Sequence, residues 1–473
     1  MAERDDFATL LSEPDLPVTS DSQPIDEENR LRPRFVREVL DAVADGDDEA
    51  ARSLVSELHP ADIADLIEIA PAEERGDLIQ ALASMVDADV YAELNDHVRE
   101  DVIDEMAPEQ VAEIAGELDT DDAVAMIEDL EEDEQRAVLR AMEPDDRAAV
   151  EEALSYGEET AGRLMQRDLI AVPEHWTVGK LIDYLRSDDE LATDFWEVFV
   201  VSPSHHPVGT CKLSTILRSP RKTPVSEIMA RKQTLIPVDM DQEDVAIRFQ
   251  KYALISAAVV DPTGRLVGMI TVDDIVHIIQ QEAGEDITLL SGAGEGDINE
   301  PLPMTIRTRV VWLVVNLAAT ICTASVVGLF QGEIGRYAIL AALMPIVSAL
   351  GGNAGTQTLA VVVRALATNQ LTSSNTMWML FREFRIAIAN GAALGLVGAV
   401  GSYLVLGNAT LSMVFALAML INSLVAGLVG VLVPVTLDKA NLDPAVASAV
   451  FVTTMTDVMG FFTFLGLASV LLT

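Results

Sequence analysis

The chain has 473 residues, with 76 acidic against 31 basic side chains, a formal net charge of −45, and half of its residues apolar. A surface this acidic argues against nucleic acid or anionic lipid as a partner and favours cations, although salt adaptation would produce the same excess. The charge is unevenly placed. Beyond residue 300 there are seven basic and five acidic residues, so the first 300 carry 24 and 71. An acidic soluble part, long enough for two or three domains, precedes a nearly neutral, apolar part.

Residues 1–32 open on acidic sequence without an apolar run of signal-peptide length and read as a disordered acidic tail. The two cysteines, Cys211 and Cys322, fall in different parts, which argues against a disulfide and suits a reducing compartment. Residues 33–157 read as short amphipathic helices. "LHPADIADLIEIA", "PAEERGDLIQALA", "MAPEQVAEIAGEL", "DTDDAVAMIEDL" and "EEDEQRAVLRAM" each place Pro, Asp or Thr near the start, acids in the first turn and apolar residues at helical spacing. Their recurrence predicts an all-α helical-repeat domain.

From 158 to 276 the pattern becomes strand, turn, strand and helix, twice. "SAAVVDPTGRLVGMIT" followed by Asp273 and Asp274 is the clearer copy. The stretch resembles a tandem pair of cystathionine-β-synthase (CBS) modules, α/β units that often bind adenine nucleotides or cations. The Gly268-x-x-Thr271-x-x-Asp274 pattern matches the one such modules use around a ribose, which makes Thr271 and Asp274 candidates for binding ATP. A helix cap at the same two residues is the competing reading. Residues 277–304 read as a connecting helix and a Gly/Pro hinge, with Glu282, Glu285 and Asp286 near one helix face.

Residues 305–473 hold apolar runs at about 310–330, 337–363, 385–407, 411–436 and 446–472, each long enough to cross a bilayer of roughly 30 Å. The fold class is therefore a polytopic α-helical membrane protein of five spans. Arg307, Arg309, Arg364, Arg382, Arg385 and Lys439 flank the spans on one side and only Arg336 on the other. The positive-inside rule then places the soluble part in the cytoplasm.

Asp457 is the one acid expected well inside a span. Thr453, Thr454 and Gly460 share its general face, and no basic residue stands in mid-span to pair with it. An intramembrane carboxylate without a cationic side chain needs an ion, water or a hydrogen-bonding neighbour. The second span carries "LMPIVSALGGNAGTQTLAVVVRAL". Pro345 can kink it and free a carbonyl, and Gly351, Gly352 and Gly355 either unwind it or let another helix approach closely. Asn353, Thr356 and Gln357 offer neutral oxygens, while Asn316, Asn390 and Asn422 lie in other spans and are less specific.

The order of acidic helical repeats, CBS pair, connecting helix and five spans, with "P-x5-GGN-x-G-x-Q" in the second span, a lone Asp in the fifth and "EETAGRLM" at 158–165, resembles the MgtE-type magnesium transporter family. The resemblance covers nearly the whole chain beyond residue 35. It implies a homodimer in the cytoplasmic membrane with an Mg²⁺ pore at the subunit interface. Asp457 then matches the pore acid and Asn353 the second-span asparagine near it, with Gly352, Thr356, Gln357, Thr453 and Thr454 as candidates to line the path. It also implies closure when cytosolic Mg²⁺ bridges acids of the soluble domains, with Asp273, Asp274, Glu282, Glu285 and Asp286 in the matching stretch.

Physical chemistry agrees with that cargo. Mg²⁺ takes oxygen ligands and sheds water reluctantly, so few carboxylates and room for water suit it, and no Cys or His cluster suggests a softer metal. Two other readings compete: a divalent-cation exchanger, which a second membrane acid would favour, and a CBS-based membrane sensor without transport. No catalytic triad, metal-ligand cluster or phosphate loop points to an enzyme.

Overall fold

The computed structural model describes residues 23–103, 106–128, 130–187, 195–291, 298–440, 442–446 and 448–472. The chain forms two compact units, Met1–Ile279 and Gln280–Thr473.

The first unit opens with helices α1 (Pro33–Ala44), α2 (Asp48–Val55), α3 (Pro60–Ile69), α4 (Ala72–Leu82), α5 (Ala88–Glu93), α6 (Asp96–Ile103), α7 (Pro108–Ala115), α8 (Thr120–Glu128), α9 (Glu132–Ala141) and α10 (Pro144–Leu154). Proline fixes the first turn of α1, α3, α7 and α10, where its missing N–H costs nothing. Aspartates cap α2 and α5 by accepting from backbone N–H groups. Apolar residues from all ten helices close one core, including Leu66, Ile67, Leu78, Leu82 and Ile127. The tail expected through residue 32 lies, up to residue 22, outside the described residues. From there the chain is folded: Ile25 bridges to Leu31, and Leu31 is buried in the helical core.

The two α/β modules follow. Strands β1 (Ala171–Pro173), β2 (Glu197–Val201) and β3 (Pro207–Lys212) form one sheet, with helices α11 (Val178–Tyr184), α12 (Leu213–Arg218) and α13 (Val225–Ile228). Strands β4 (Leu235–Pro237), β5 (Ser256–Val260) and β6 (Leu266–Thr271) form the other, with α14 (Gln242–Tyr252) between β4 and β5. Both sheets pair their first two strands parallel and the last two antiparallel, with a register shift at Val200/Val201 in one and at Val259/Val260 in the other. The first copy, weak as a sequence match, thus has the backbone of the second. Phe199, Val201, Ala258, Leu266 and Met269 pack the two sheets together. Helix α15 (Val272–Ser291) then runs across the boundary between the units. The Gly-rich part of the expected hinge, 292–297, lies outside the described residues.

In the second unit, five helices have the length and apolar composition of membrane spans: α16 (Leu302–Leu329), α18 (Ile339–Ala367), α19 (Thr376–Leu406), α20 (Ala409–Lys439) and α21 (Ser448–Leu471), with short α17 (Gln331–Arg336) between the first two. They are spans one to five below. Span four is the most enclosed and span one the least. The third span starts at Thr376, nine residues before the charge-based expectation of 385, because Asn375 closes the preceding turn and the helix runs on through Arg382 and Glu383. Asp457 is therefore not the only acid in a membrane helix. Glu383 is 6% exposed, accepts from Arg382 Nη1 at 2.9 Å and from Thr358 Oγ1 of span two at 3.2 Å.

The glycine-rich second span does not unwind. It is one α-helix from Ile339 to Ala367, through Pro345, and its glycines receive neighbouring helices. A Cβ on Gly355 would lie 2.6 Å from Val452 of span five, and one on Gly430 of span four would lie 2.9 Å from the Gly355 carbonyl oxygen. Small residues are what allow helices to approach this closely in a bilayer, where hydrophobic burial supplies little driving force. Gly430→Ala is therefore expected to destabilise the membrane unit by about 1–3 kcal/mol, whereas Gly401→Ala, where the Cβ meets open space, is neutral or slightly stabilising. Thermal unfolding of both variants in detergent checks this, and equal midpoints would contradict the packing account.

Candidate functional site

Spans two and five meet along a seam. The Ser348 hydroxyl donates to Asp457 Oδ1. One turn along, a Cβ on Gly352 would stand 3.7 Å from the Thr453 methyl, and further along Gly355 receives Val452. Numbers rise along span two as they fall along span five, as antiparallel helices require. Asp457 is half-buried, and Ser348 is its only polar partner among the described residues. Among the described residues no Lys or Arg pairs with it.

The expected path residues fall on or beside this seam. Thr453 donates back to the Ala449 carbonyl at 2.6 Å and Thr454 to Val450 at 2.6 Å, so each hydroxyl keeps its acceptor lone pairs. Thr356 donates to the carbonyls of Gly352 and Asn353, both at 3.1 Å. Asn353, Gln357 and Thr453 are exposed on the surface of the single subunit. Gln357 also lines a polar cavity of about 200 Å³ between spans two, three and four, together with Thr358, Arg382, Glu383 and Asn390. No contact joins Asn353 to Asp457 among the described residues. Ser348, which does touch Asp457, was legible as the residue one turn before Gly352 and two before Thr356 on the same face.

A second polar centre lies in the first unit, where α8 meets α15. Asp121 of α8 is 9% exposed, and its Oδ1 is buried without a hydrogen-bond partner among the described residues. Burial first, then the charges of Asp274, Asp122 and Asp119, push its carboxyl well above the ordinary carboxylate range. Asp122 is raised to about 6 by burial and by Asp119 and Glu93, with Arg99 and His277 opposing. Asp274 is also raised to about 6, by burial and by Asp273 and Asp122, despite its bonds from Thr271. Thr271 Oγ1 donates to Asp274 Oδ2 at 2.5 Å and Thr271 N to the same oxygen at 3.4 Å, so this pair does cap α15. Gln166 Nε2 reaches that oxygen too, at 3.4 Å. Asp273 is exposed. The signal for Asp121 and Asp122 was an excess of acids at the start of α8, more than a cap needs.

The remaining expected acids, Glu282, Glu285 and Asp286, belong to the second unit and are half-buried. The Asp286 carboxyl is raised by burial and by Asp443, in the turn between spans four and five. Beside it, Leu289 and Leu290 of α15 pack on Leu359 and Val363 of span two and Val452 of span five.

Three comparisons bear on identity. Residues 344–467 match the MgtE divalent cation transporter family, 58–159 the MgtE intracellular N domain and 225–281 the CBS domain. The magnesium transporter MgtE of Bacillus subtilis is 30% identical over 318 residues, 67% of this chain and 70% of that one. This chain belongs to the MgtE family of magnesium transporters. MgtE of Thermus thermophilus is 32% identical over 325 residues, 68% of this chain and 72% of that one. The crystal structure of the cytosolic domain of the Mg²⁺ channel MgtE in complex with ATP aligns with a TM-score of 0.47 and 30% identity, over 51% of this chain and 99% of that one. For an MgtE-family protein the acidic first unit lies on the intracellular side of a multi-pass membrane part, as the basic flanks of the spans require.

An all-carboxylate donor set with one orphaned oxygen suits a hard divalent cation. Among the described residues no group of three or more His, Cys, Asp or Glu stands close enough to hold a metal ion. The raised carboxyls give a pH dependence. An acid whose folded pKa lies above its unfolded value binds more protons when folded, so without metal the fold loses stability as pH rises from about 4 to above 6. A cation bound there would replace those protons. Full-length protein in EDTA is expected to melt lower at pH 7.5 than at pH 5.5, and saturating Mg²⁺, worth about 2.7 kcal/mol at a hundred times its Kd, to raise the midpoint more at pH 7.5. Equal Mg²⁺ shifts at the two pH values would contradict this assignment.

Proposed function

We propose that this protein conducts Mg²⁺ along the seam of spans two and five, with Asp457 as the ion-attracting carboxylate. The observation that carries the reading is an acid in a membrane helix that has a serine for a partner and, among the described residues, no cationic side chain. Asn353, Gln357 and Thr453 leave polar groups on the outer surface of one subunit. Facing lipid they would be costly; facing a second copy of the chain they line a watery path. A homodimer would then pair two Asp457 carboxylates, which repel without a divalent ion between them and attract one with its water attached. Neutral oxygens along the seam would hold that water by hydrogen bonds.

Regulation follows from the second polar centre. Asp121, Asp122 and Asp274 repel once ionised, and intracellular Mg²⁺ would favour the arrangement in which they face one another. Such a ligand shifts the equilibrium by its difference in affinity for the two states. The packing of Leu289 and Leu290 on the ends of spans two and five gives α15 the contacts through which a movement of this helix would reach the seam. Asp286 beside Asp443 adds a further acid pair at that end.

The exchanger reading asks for a second free acid in the membrane unit. Glu383 is there, and each of its oxygens already has a partner, Arg382 or Thr358, which supports the channel reading over the exchanger. Thr271 bonds to Asp274, and Gln166 to Asp274; as the residues that match the ribose pattern, Thr271 and Asp274 would hold ATP at this α/β module.

Mg²⁺ uptake into proteoliposomes tests the path. Asp457→Asn and Asp457→Ala are expected to lose at least about 90% of wild-type uptake, a loss of some 1.4 kcal/mol or more, while eluting as folded protein. Full uptake by both would remove Asp457 from the path.

A further inference from the structure

Asn422 stands in the interior of span four, 1% exposed. The group it faces is the Val347 carbonyl of span two, which can only accept. The near atom of the amide is therefore Nδ2, at 2.9 Å, and this fixes Oδ1 on the other side. Oδ1 is buried and has no hydrogen-bond partner among the described residues. The amide occupies space left by two glycines from two other spans. A Cβ on Gly351 would come 2.0 Å from Nδ2, and one on Gly460 would come 2.8 Å from it. Asn422 is thus wedged between spans two and five. Its contacts are the neighbours of the ion-path pair: Val347 precedes Ser348, and Gly460 lies one turn beyond Asp457.

Packing alone does not call for this residue. A leucine has similar length, needs no partner in an apolar interior and leaves no acceptor open. The amide instead uses its donor on the one carbonyl adjacent to the serine that holds Asp457.

We infer that Asn422 is a positioning residue for the ion path: by holding the Val347 carbonyl it sets the rotation of span two at which the Ser348 hydroxyl meets Asp457 Oδ1. The inference rests on the reading of Asp457 as the path acid. It acts through a chain of two hydrogen bonds, Asn422 to Val347 and Ser348 to Asp457, that ties three spans together at one level. Loss of the first bond frees span two to turn, so Asp457 loses its fixed orientation and attracts Mg²⁺ less well. The number of working pores does not change.

The experiment is initial Mg²⁺ uptake against Mg²⁺ concentration in proteoliposomes of full-length protein, for wild type, Asn422→Leu, Ser348→Ala and the double variant. Each single change is expected to raise the half-saturating Mg²⁺ concentration roughly three- to tenfold at a near wild-type maximal rate, and the double variant to resemble the worse single variant, because both break the same chain. A merely structural role would lower the maximal rate and leave half-saturation unmoved, which would overturn the inference. So would single effects that multiply in the double variant. If Asn422→Leu does not fold, Asn422→Ala, which adds no volume, replaces it with the same outcomes. Full uptake by Asp457→Asn would overturn the path itself; an inactive Asp457→Asn beside Asn422 variants that titrate like wild type would overturn this inference alone.

Discussion

The structure turns on carboxylates that outnumber the cationic side chains near them. In most folds a buried acid is paired with Arg or Lys, because the cost of leaving it unpaired is several kcal/mol. Here Glu383 follows that rule, with Arg382 beside it. Among the described residues Asp457 has no such partner, and around Asp121, Asp122 and Asp274 the acids outnumber the opposing Arg99 and His277. One lies in a membrane helix and the other where α8 meets α15, and both concentrate negative charge where water is limited. A mobile divalent cation is the natural complement to such places, and the family of the chain is one of magnesium transporters.

Close helix packing makes the membrane site possible. Gly352 and Gly355 let span five lie against span two, Gly430 lets span four lie against span two, and the Ser348 hydroxyl meets Asp457 as a consequence. An orphaned buried acceptor such as Asn422 Oδ1 costs about 1–3 kcal/mol. That cost falls beside the seam, in a unit whose other interior positions are largely apolar.

The fold class and the five spans were legible because each rests on local signals: apolar runs of bilayer length, and strand–turn–strand patterns. So was Asp457, since a lone acid in an apolar run stands out. Contacts between elements far apart in sequence left no local signal. Ser348 and Asp457 are 109 residues apart, and Asp121 and Asp274 lie in different domain types. The start of span three was misplaced because Arg382, Glu383 and Arg385 read as a loop, whereas the two neighbours Arg382 and Glu383 neutralise each other within the helix. The run of glycines in span two left both unwinding and close approach open, and only the positions of Val452 and Asn422 decide for close approach.

The central claim is that unpaired acids are completed by Mg²⁺, in the path and in the control of it. The most direct measurement is Mg²⁺ flux through oriented proteoliposomes as Mg²⁺ is raised on the side of the soluble unit, comparing wild type with the double variant Asp121→Asn, Asp274→Asn. The account predicts that wild-type flux falls with a clear midpoint and that the variant's flux no longer depends on Mg²⁺ on that side. Inhibition of the variant at the wild-type midpoint would contradict it.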